Sequence, residues 1–359
     1  MNLETVPTLP FSLRATYHPS VKEIMPLGTR PPVAGAGFVG KLLERARQPV
    51  HDPELAYVLS VLAGWSYADG QTLSNKLRYY GLPLNTVHEI HVRNPAMLVI
   101  ASAFFVRSEC GRVGILSFRG TMPDDVINWF TDTDVTMRPI SGGRVHAGFY
   151  ANTEVLWDDV SACLAEAMGE APWADGGAPP GDGQDAKGRD GQGEPRARME
   201  KLYITGHSLG GAMAVLVAAR ISAGASPVPR EHLAGVYTFG QPAVGDAAFA
   251  SQCEEQFGDI LYRHVFAYDV VPHLPPRSCG PFLHFGQERV TKSVHEPWAK
   301  PTAALAKQAP LIFATVLFTF ASWAARRVDY LPKIHLPYSI DDHSPARYIE
   351  ASRAAFAGA

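Results

Sequence analysis

The chain has 359 residues, 46% of them hydrophobic and 19% charged, with a formal net charge of −3. That length buries one large core or two modest ones, and the slightly acidic balance argues against nucleic acid as a partner. The four cysteines, Cys110, Cys163, Cys253 and Cys279, are widely spaced, form no metal-ligand pattern and leave the redox compartment open.

The first residues, Met1-Asn2-Leu3-Glu4-Thr5-Val6-Pro7, lack a basic n-region and an apolar h-region. A cytoplasmic start is the default expectation, with export or peripheral membrane association left open. Residues 1–50 are rich in proline and glycine around Pro31 to Gly37 and read as an irregular N-terminal wrap. Residues 53–67 have helical spacing, with apolar Leu55, Val58, Leu59, Leu62 and Trp65. The β-branched and aromatic runs 96–106 and 113–118, joined by the polar link 107–112, read as paired strands.

Arg119-Gly120-Thr121 follows the second strand, and 124–134 has a helical pattern. A strand ending in glycine and a hydroxyl residue suits a loop that holds an oxyanion, but read alone these residues favour an ordinary strand-to-helix turn capped by Thr121. Residues 144–167 read as a helical unit, with His146 expected to be a structural hydrogen-bonder near a site. Residues 174–197 differ in kind. Seven of those 24 positions are glycine and none is a large apolar residue, so the segment is expected to be a disordered surface insertion. The remainder, 51–359, reads as one domain.

The stretch 202–214 then combines a short β-branched run, the turn Gly206-His207-Ser208-Leu209-Gly210 and a small-residue helix to about Ser222. Gly-x-Ser-x-Gly in a strand–turn–helix setting forces the serine into a strained backbone and presents its Oγ. The Leu209 amide sits at a helix N-terminus, where free N–H groups favour developing negative charge. Two more strands follow, 233–240 and 260–268, and alternating strands and helices imply a mainly parallel sheet covered on both faces. Functional groups then belong beyond the carboxyl ends of strands.

A serine nucleophile needs an imidazole to take its proton and a carboxylate to orient that imidazole. Acid candidates after Ser208 are Asp246, Asp259, Asp269, Asp329, Asp341 and Asp342. Asp269 is best placed, since it closes an apolar strand and precedes a proline-fixed loop. Histidine candidates are His232, His264, His273, His284, His295, His335 and His343. His343 lies on a loop just before the last helix, and the required order of serine, acid and histidine favours it. His335 is the next choice, because His273 shares the loop of Asp269.

These residues resemble the class 3 lipases, the fungal-lipase-like branch of the α/β-hydrolases. The resemblance rests on Phe118-Arg119-Gly120-Thr121, Val145-His146-Ala147-Gly148-Phe149 and Thr205 to Ala212. It continues through Thr238-Phe239-Gly240-Gln241-Pro242, Asp269 to Pro276, and Asp342-His343-Ser344 with Tyr348. It implies an α/β-hydrolase fold, Ser208 as nucleophile, Asp269 as orienter, His343 as base, and an oxyanion hole from the Thr121 and Leu209 amides. The activity implied is hydrolysis of an acyl ester, with acylglycerols favoured and phospholipids or small esters open; the chemistry requires no metal or cofactor. An acyltransferase would use the same triad, and a non-catalytic lipid-binding or scaffold protein would reuse the fold.

One feature departs from that family. No distinct apolar lid follows the oxyanion-loop strand, and a run from Leu311 to Ala325 stands between Asp269 and His343 instead. As a helix it would be about 22 Å long, short for a roughly 30 Å hydrocarbon core. Three readings stand: a buried helix, a lid or acyl-pocket wall touching a lipid surface, and a membrane span.

Overall fold

The computed structural model describes residues 38–45, 50–79, 84–94, 99–120, 136–169, 197–275, 280–301 and 339–358. The described residues open with three helices, α1 (Phe38–Arg45), α2 (Pro53–Trp65) and α3 (Gly70–Tyr79). Strands β1 (Leu84–Asn94), β2 (Val99–Ser108) and β3 (Val113–Phe118) follow, then the small hairpin of β4 (Met137–Ile140) and β5 (Gly143–His146). From there helices and strands alternate as α4 (Ala147–Ala167), β6 (Lys201–His207), α5 (Leu209–Ser222), β7 (Leu233–Phe239), α6 (Ala247–Phe257) and β8 (Leu261–Phe266). Strand β9 (Gln287–Thr291) and helix α7 (Pro345–Ala357) complete the elements of the described residues.

The main sheet has seven strands in the order β1-β2-β3-β6-β7-β8-β9. β1, β2 and β3 pair antiparallel, and every pairing from β3 to β9 is parallel. Side chains alternate between two apolar layers, as the period-2 pleat requires. In β2, Ala103 and Phe105 face the layer covered by α4, α5 and α6, whereas Phe104 and Val106 face α1, α2 and α7. Strand β6 does the same with Leu202 and Ile204 on one side and Tyr203 on the other. Burial on both faces is why the central strands read as nearly continuous apolar runs.

Register aligns the carboxyl ends of the central strands. Phe118 lies opposite Gly206, His207 opposite Phe239, and Phe239 opposite His264. The loops leaving β3, β6, β7 and β8 therefore emerge along one edge of the sheet.

The structure departs from expectation in several places. Residues 38–45, expected to be irregular, form α1; Phe38 and Leu42 are one turn apart and both fully buried. Residues 143–146 open the helical unit as strand β5, since Val145 and Arg138 pair across the hairpin. Strands β1 and β9 had no clear pattern in the sequence. Both are edges: β1 exposes His88, Glu89 and His91, and β9 carries Gln287, Glu288 and Arg289, polar residues typical of strand edges. The expected helices at 124–134 and 311–325, and residues 174–196 of the expected insertion, lie outside the described residues. Among the described residues no helix is long and apolar enough to cross a membrane.

The two chain segments that flank 170–196 meet at one buried cation. Arg107 is 7% exposed and donates from Nη2 to the carbonyls of Ala167 (3.3 Å) and Ala197 (2.7 Å), and from Nε to that of Gly111 (3.0 Å). The Met199 amide also donates to the Ala167 carbonyl at 2.8 Å. The exit from α4 and the entry to β6 are thus tied to each other directly. Excising 174–195 is expected to shift the melting temperature by no more than about 3 °C. A calorimetric drop beyond about 10 °C would show instead that the segment stabilises the fold.

Candidate active site

Ser208 occupies the turn between β6 and α5, at φ 59° and ψ −130°. Such backbone costs a non-glycine residue about 1–3 kcal/mol and persists only where its surroundings fix it. Here the Ser208 amide donates to the Phe239 carbonyl at 2.9 Å, and the Ser208 carbonyl accepts from Gly211 at 2.9 Å. The flanking glycines are required by close approach. A Cβ at Gly206 would collide with the Gly210 carbonyl, and one at Gly210 would collide with the Phe118 carbonyl of β3. Leu209 is the first residue of α5, so its amide has no acceptor one turn back in that helix.

Asp269 follows β8 and is fully buried. Its carboxylate accepts three hydrogen bonds: Val271 N–H to Oδ1 (2.8 Å), His343 Nδ1–H to Oδ2 (2.8 Å) and Tyr348 O–H to Oδ2 (2.5 Å). His343 closes the short 3₁₀ turn Asp341–His343 and is 3% exposed. That turn is anchored to the Asp269 loop, because Ser339 N–H donates to the Tyr268 carbonyl (2.7 Å) and Tyr268 N–H donates to Asp342 Oδ2 (3.2 Å). Gly240, at φ 62°, lets the imidazole lie flat on the end of β7. A Cβ there would stand 2.8 Å from His343 Nδ1 and 2.9 Å from Asp269 Oδ2. With Nδ1 committed to Asp269, the other ring nitrogen, Nε2, is buried without a hydrogen-bond partner among the described residues.

Around this core lie groups that hold it. His207 precedes Ser208 at the end of β6 and packs against His343. Its ring centroid is 4.5 Å from that of His343, and its Nε2–H donates to the His343 main-chain carbonyl at 2.8 Å. Its Nδ1 accepts from the Tyr67 hydroxyl at 2.8 Å. Burial holds the His207 imidazole well below its ordinary pKa, with the neighbouring His343 adding to the effect. Tyr348 is fully buried beside a carboxylate, and both conditions push its hydroxyl well above the ordinary tyrosine range. The same bond makes the hydroxyl a donor to Asp269.

The structure thus brings Ser208, Leu209, Asp269 and His343 to one end of the sheet; Thr121 lies outside the described residues. The other candidates are placed elsewhere. Asp246 caps α6 and pairs with Arg144 (3.0 Å), and Asp342 holds the Tyr268 amide. His146 accepts from Gly148 N–H, capping α4, and stacks on Phe149, the structural role expected of it. His264 and His284 donate to the carbonyls of Thr238 and Pro272, and His232 to that of Glu200. His335 and Asp329 lie outside the described residues. Among the described residues, no group of His, Cys, Asp and Glu could hold a metal ion. The roles of His207, Tyr67 and Tyr348 were not anticipated, although His207 and Tyr348 stand among the residues that carry the family resemblance.

Comparison with known proteins finds lipases. Residues 194–279 match the family model described as "Lipase (class 3)". A protein named "Lipase" from Rhizopus niveus is 32% identical over 180 residues, 50% of this chain and 37% of the relative. Another "Lipase", from Rhizomucor miehei, is 30% identical over 190 residues, 52% of this chain and 44% of the relative. The chain therefore matches less than half the length of these two relatives. Among solved structures, a lipase from Rhizopus microsporus var. chinensis superposes with a TM-score of 0.52 at 22% identity, covering 89% of this chain and 90% of that one. That likeness shows the α/β-hydrolase fold.

Two outcomes are expected from the geometry. Tyr348→Phe removes one donor from a buried carboxylate and should lower the unfolding free energy by about 1–3 kcal/mol; a change below about 0.3 kcal/mol in urea denaturation at pH 7.5 would mean the bond contributes nothing. The second concerns acid. Burial lowers His51 and His146 to about 4 and holds His207, His264 and His284 well below 6.5. These groups stay neutral when folded but take up protons when unfolded below about pH 6.5. Stability is therefore intact above that pH and declines as pH falls toward 4, with a limiting slope near 1.4 kcal/mol per pH unit for each such histidine. Urea midpoints at pH 7.5 and 5.0 test this, and equal midpoints would contradict it.

Proposed function

We propose that this chain, whose residues 194–279 match the class 3 lipase model, is a member of that family and hydrolyses carboxylic esters through an acyl-serine intermediate. Acylglycerols are the proposed substrate class, since the relatives it matches are named lipases. The observation that carries the reading is the 2.8 Å bond from His343 Nδ1–H to the buried Asp269 carboxylate, set behind a strained serine at a helix N-terminus.

In this mechanism His343 Nε2 takes the Ser208 hydroxyl proton as Oγ attacks the ester carbonyl carbon. A neutral imidazole with Nδ1 held by a carboxylate has its lone pair at Nε2, the tautomer that step needs. Asp269 then stabilises the imidazolium that forms. The Leu209 amide faces the developing oxyanion, with the dipole of α5 behind it; the Thr121 amide is the proposed second donor. Collapse of the tetrahedral intermediate expels the alcohol, protonated by His343 Nε2, and leaves acyl-Ser208. Water, deprotonated by the same nitrogen, attacks the acyl carbon, and release of the carboxylate returns the proton to Ser208.

Hydrolysis of p-nitrophenyl esters from C2 to C16 tests the reading. Wild type is expected to turn over with a preference for long chains, and Ser208→Ala to lose about three orders of magnitude or more in kcat. Turnover of short chains alone would narrow the substrate class to small esters, and undiminished activity in Ser208→Ala would remove the mechanism.

A further inference from the structure

We propose that His207 and Tyr67 form a positioning pair, a strut from the α2–α3 connection through the serine turn that fixes the main chain of His343. The inference rests on the mechanism above and assigns to this pair a task that mechanism leaves open. Asp269 orients the His343 ring through Nδ1, yet one hydrogen bond leaves the ring free to tilt with its backbone. His343 belongs to a three-residue turn far along the chain from Ser208, and its carbonyl is tied to the serine turn by His207.

The tautomer of His207 follows from its partners. A carbonyl oxygen only accepts, so the nitrogen 2.8 Å from the His343 carbonyl, Nε2, carries the proton. Neutral imidazole has a single N–H, so Nδ1 accepts from the Tyr67 hydroxyl at 2.8 Å. Were the proton on Nδ1, the Nε2 lone pair would face the carbonyl oxygen and repel it. By donating to Nδ1, Tyr67 selects the tautomer that holds His343. Tyr67 and His207 are 5% and 2% exposed, so water does not substitute for either partner. Their rings meet edge to face at 5.8 Å, which fixes the imidazole plane as well as its hydrogen bonds. The two residues flanking the turn thus act in sequence: Ser208 presents the reacting oxygen, and its neighbour locates the base.

A base displaced by about 1 Å costs up to roughly two orders of magnitude in rate. For His207→Phe, which removes both hydrogen bonds, kcat on p-nitrophenyl butyrate is expected to fall about 30-fold or more, with KM unchanged within about twofold. His207→Gln restores an N–H near the position of Nε2 and is expected to recover at least about a third of wild-type kcat. Tyr67→Phe keeps the ring and loses the tautomer lock; a decrease of about 3- to 10-fold in kcat is expected, again without change in KM. In proton spectra the downfield signal of the His343–Asp269 N–H is expected to broaden in His207→Phe and to persist in His207→Gln. The pair has no such role if Phe and Gln at 207 are equally impaired, or if Tyr67→Phe matches wild type within about 1.5-fold. Should His207→Phe fail to fold, the Gln and Tyr67 variants decide alone. Ser208→Ala assayed in parallel separates the two readings. An inactive Ser208→Ala beside fully active His207 and Tyr67 variants overturns the strut alone, and an active Ser208→Ala overturns the mechanism it serves.

Discussion

A fully buried carboxylate governs how this chain closes. Asp269 has no solvent to neutralise it, and an unpaired charge in that position would be prohibitive. Its three donors come from three places: the Val271 amide in its own turn, His343 more than seventy residues on, and Tyr348 on α7. The charge is tolerated only when the C-terminal segment has docked. The same contact that orients an imidazole therefore selects the position of the last helix, and formation of the site and completion of the fold are one event.

The serine turn is the complementary constraint. The strain at Ser208 persists because β6 and α5 are each held by large apolar layers and because glycines at 206 and 210 let the backbones approach. The sheet supplies rigidity along one edge, where Phe118, His207 and Phe239 end in register. Precision at the reacting atoms is thus inherited from the least polar part of the molecule.

What the sequence disclosed follows from the same physics. Central strands buried on both faces must be apolar throughout, so β2, β3, β6, β7 and β8 stood out as runs. The serine turn announced itself because its glycines answer to backbone collisions that no other residue avoids. Asp269 and His343 could be ranked by order and by place at strand and helix ends, although their contact was not visible. The edge strands β1 and β9 were hidden because an edge needs only one apolar face and is protected by charge. Helix α1 was hidden because proline and glycine surround a helix of about two turns in which only Phe38 and Leu42 are fully buried. The tasks of Tyr67 and Tyr348 were hidden because a tyrosine in a helical region reads as core, and only tertiary contact reveals that its hydroxyl holds a functional group.

The polar groups behind the serine form a network with a single opening. Asp269 uses both oxygens, His207 uses both nitrogens, and the hydroxyls of Tyr67 and Tyr348 are each engaged. Among these side chains only His343 Nε2 is buried without a partner in the described residues. A buried nitrogen so placed costs about 1–3 kcal/mol, a cost borne at one atom while every neighbour is satisfied. A network half satisfied in many places would relax by shifting its members, whereas this one has no slack elsewhere. The unmet hydrogen bond is therefore confined to the atom through which, in the proposed mechanism, every proton passes: from the serine, to the leaving alcohol, and from water.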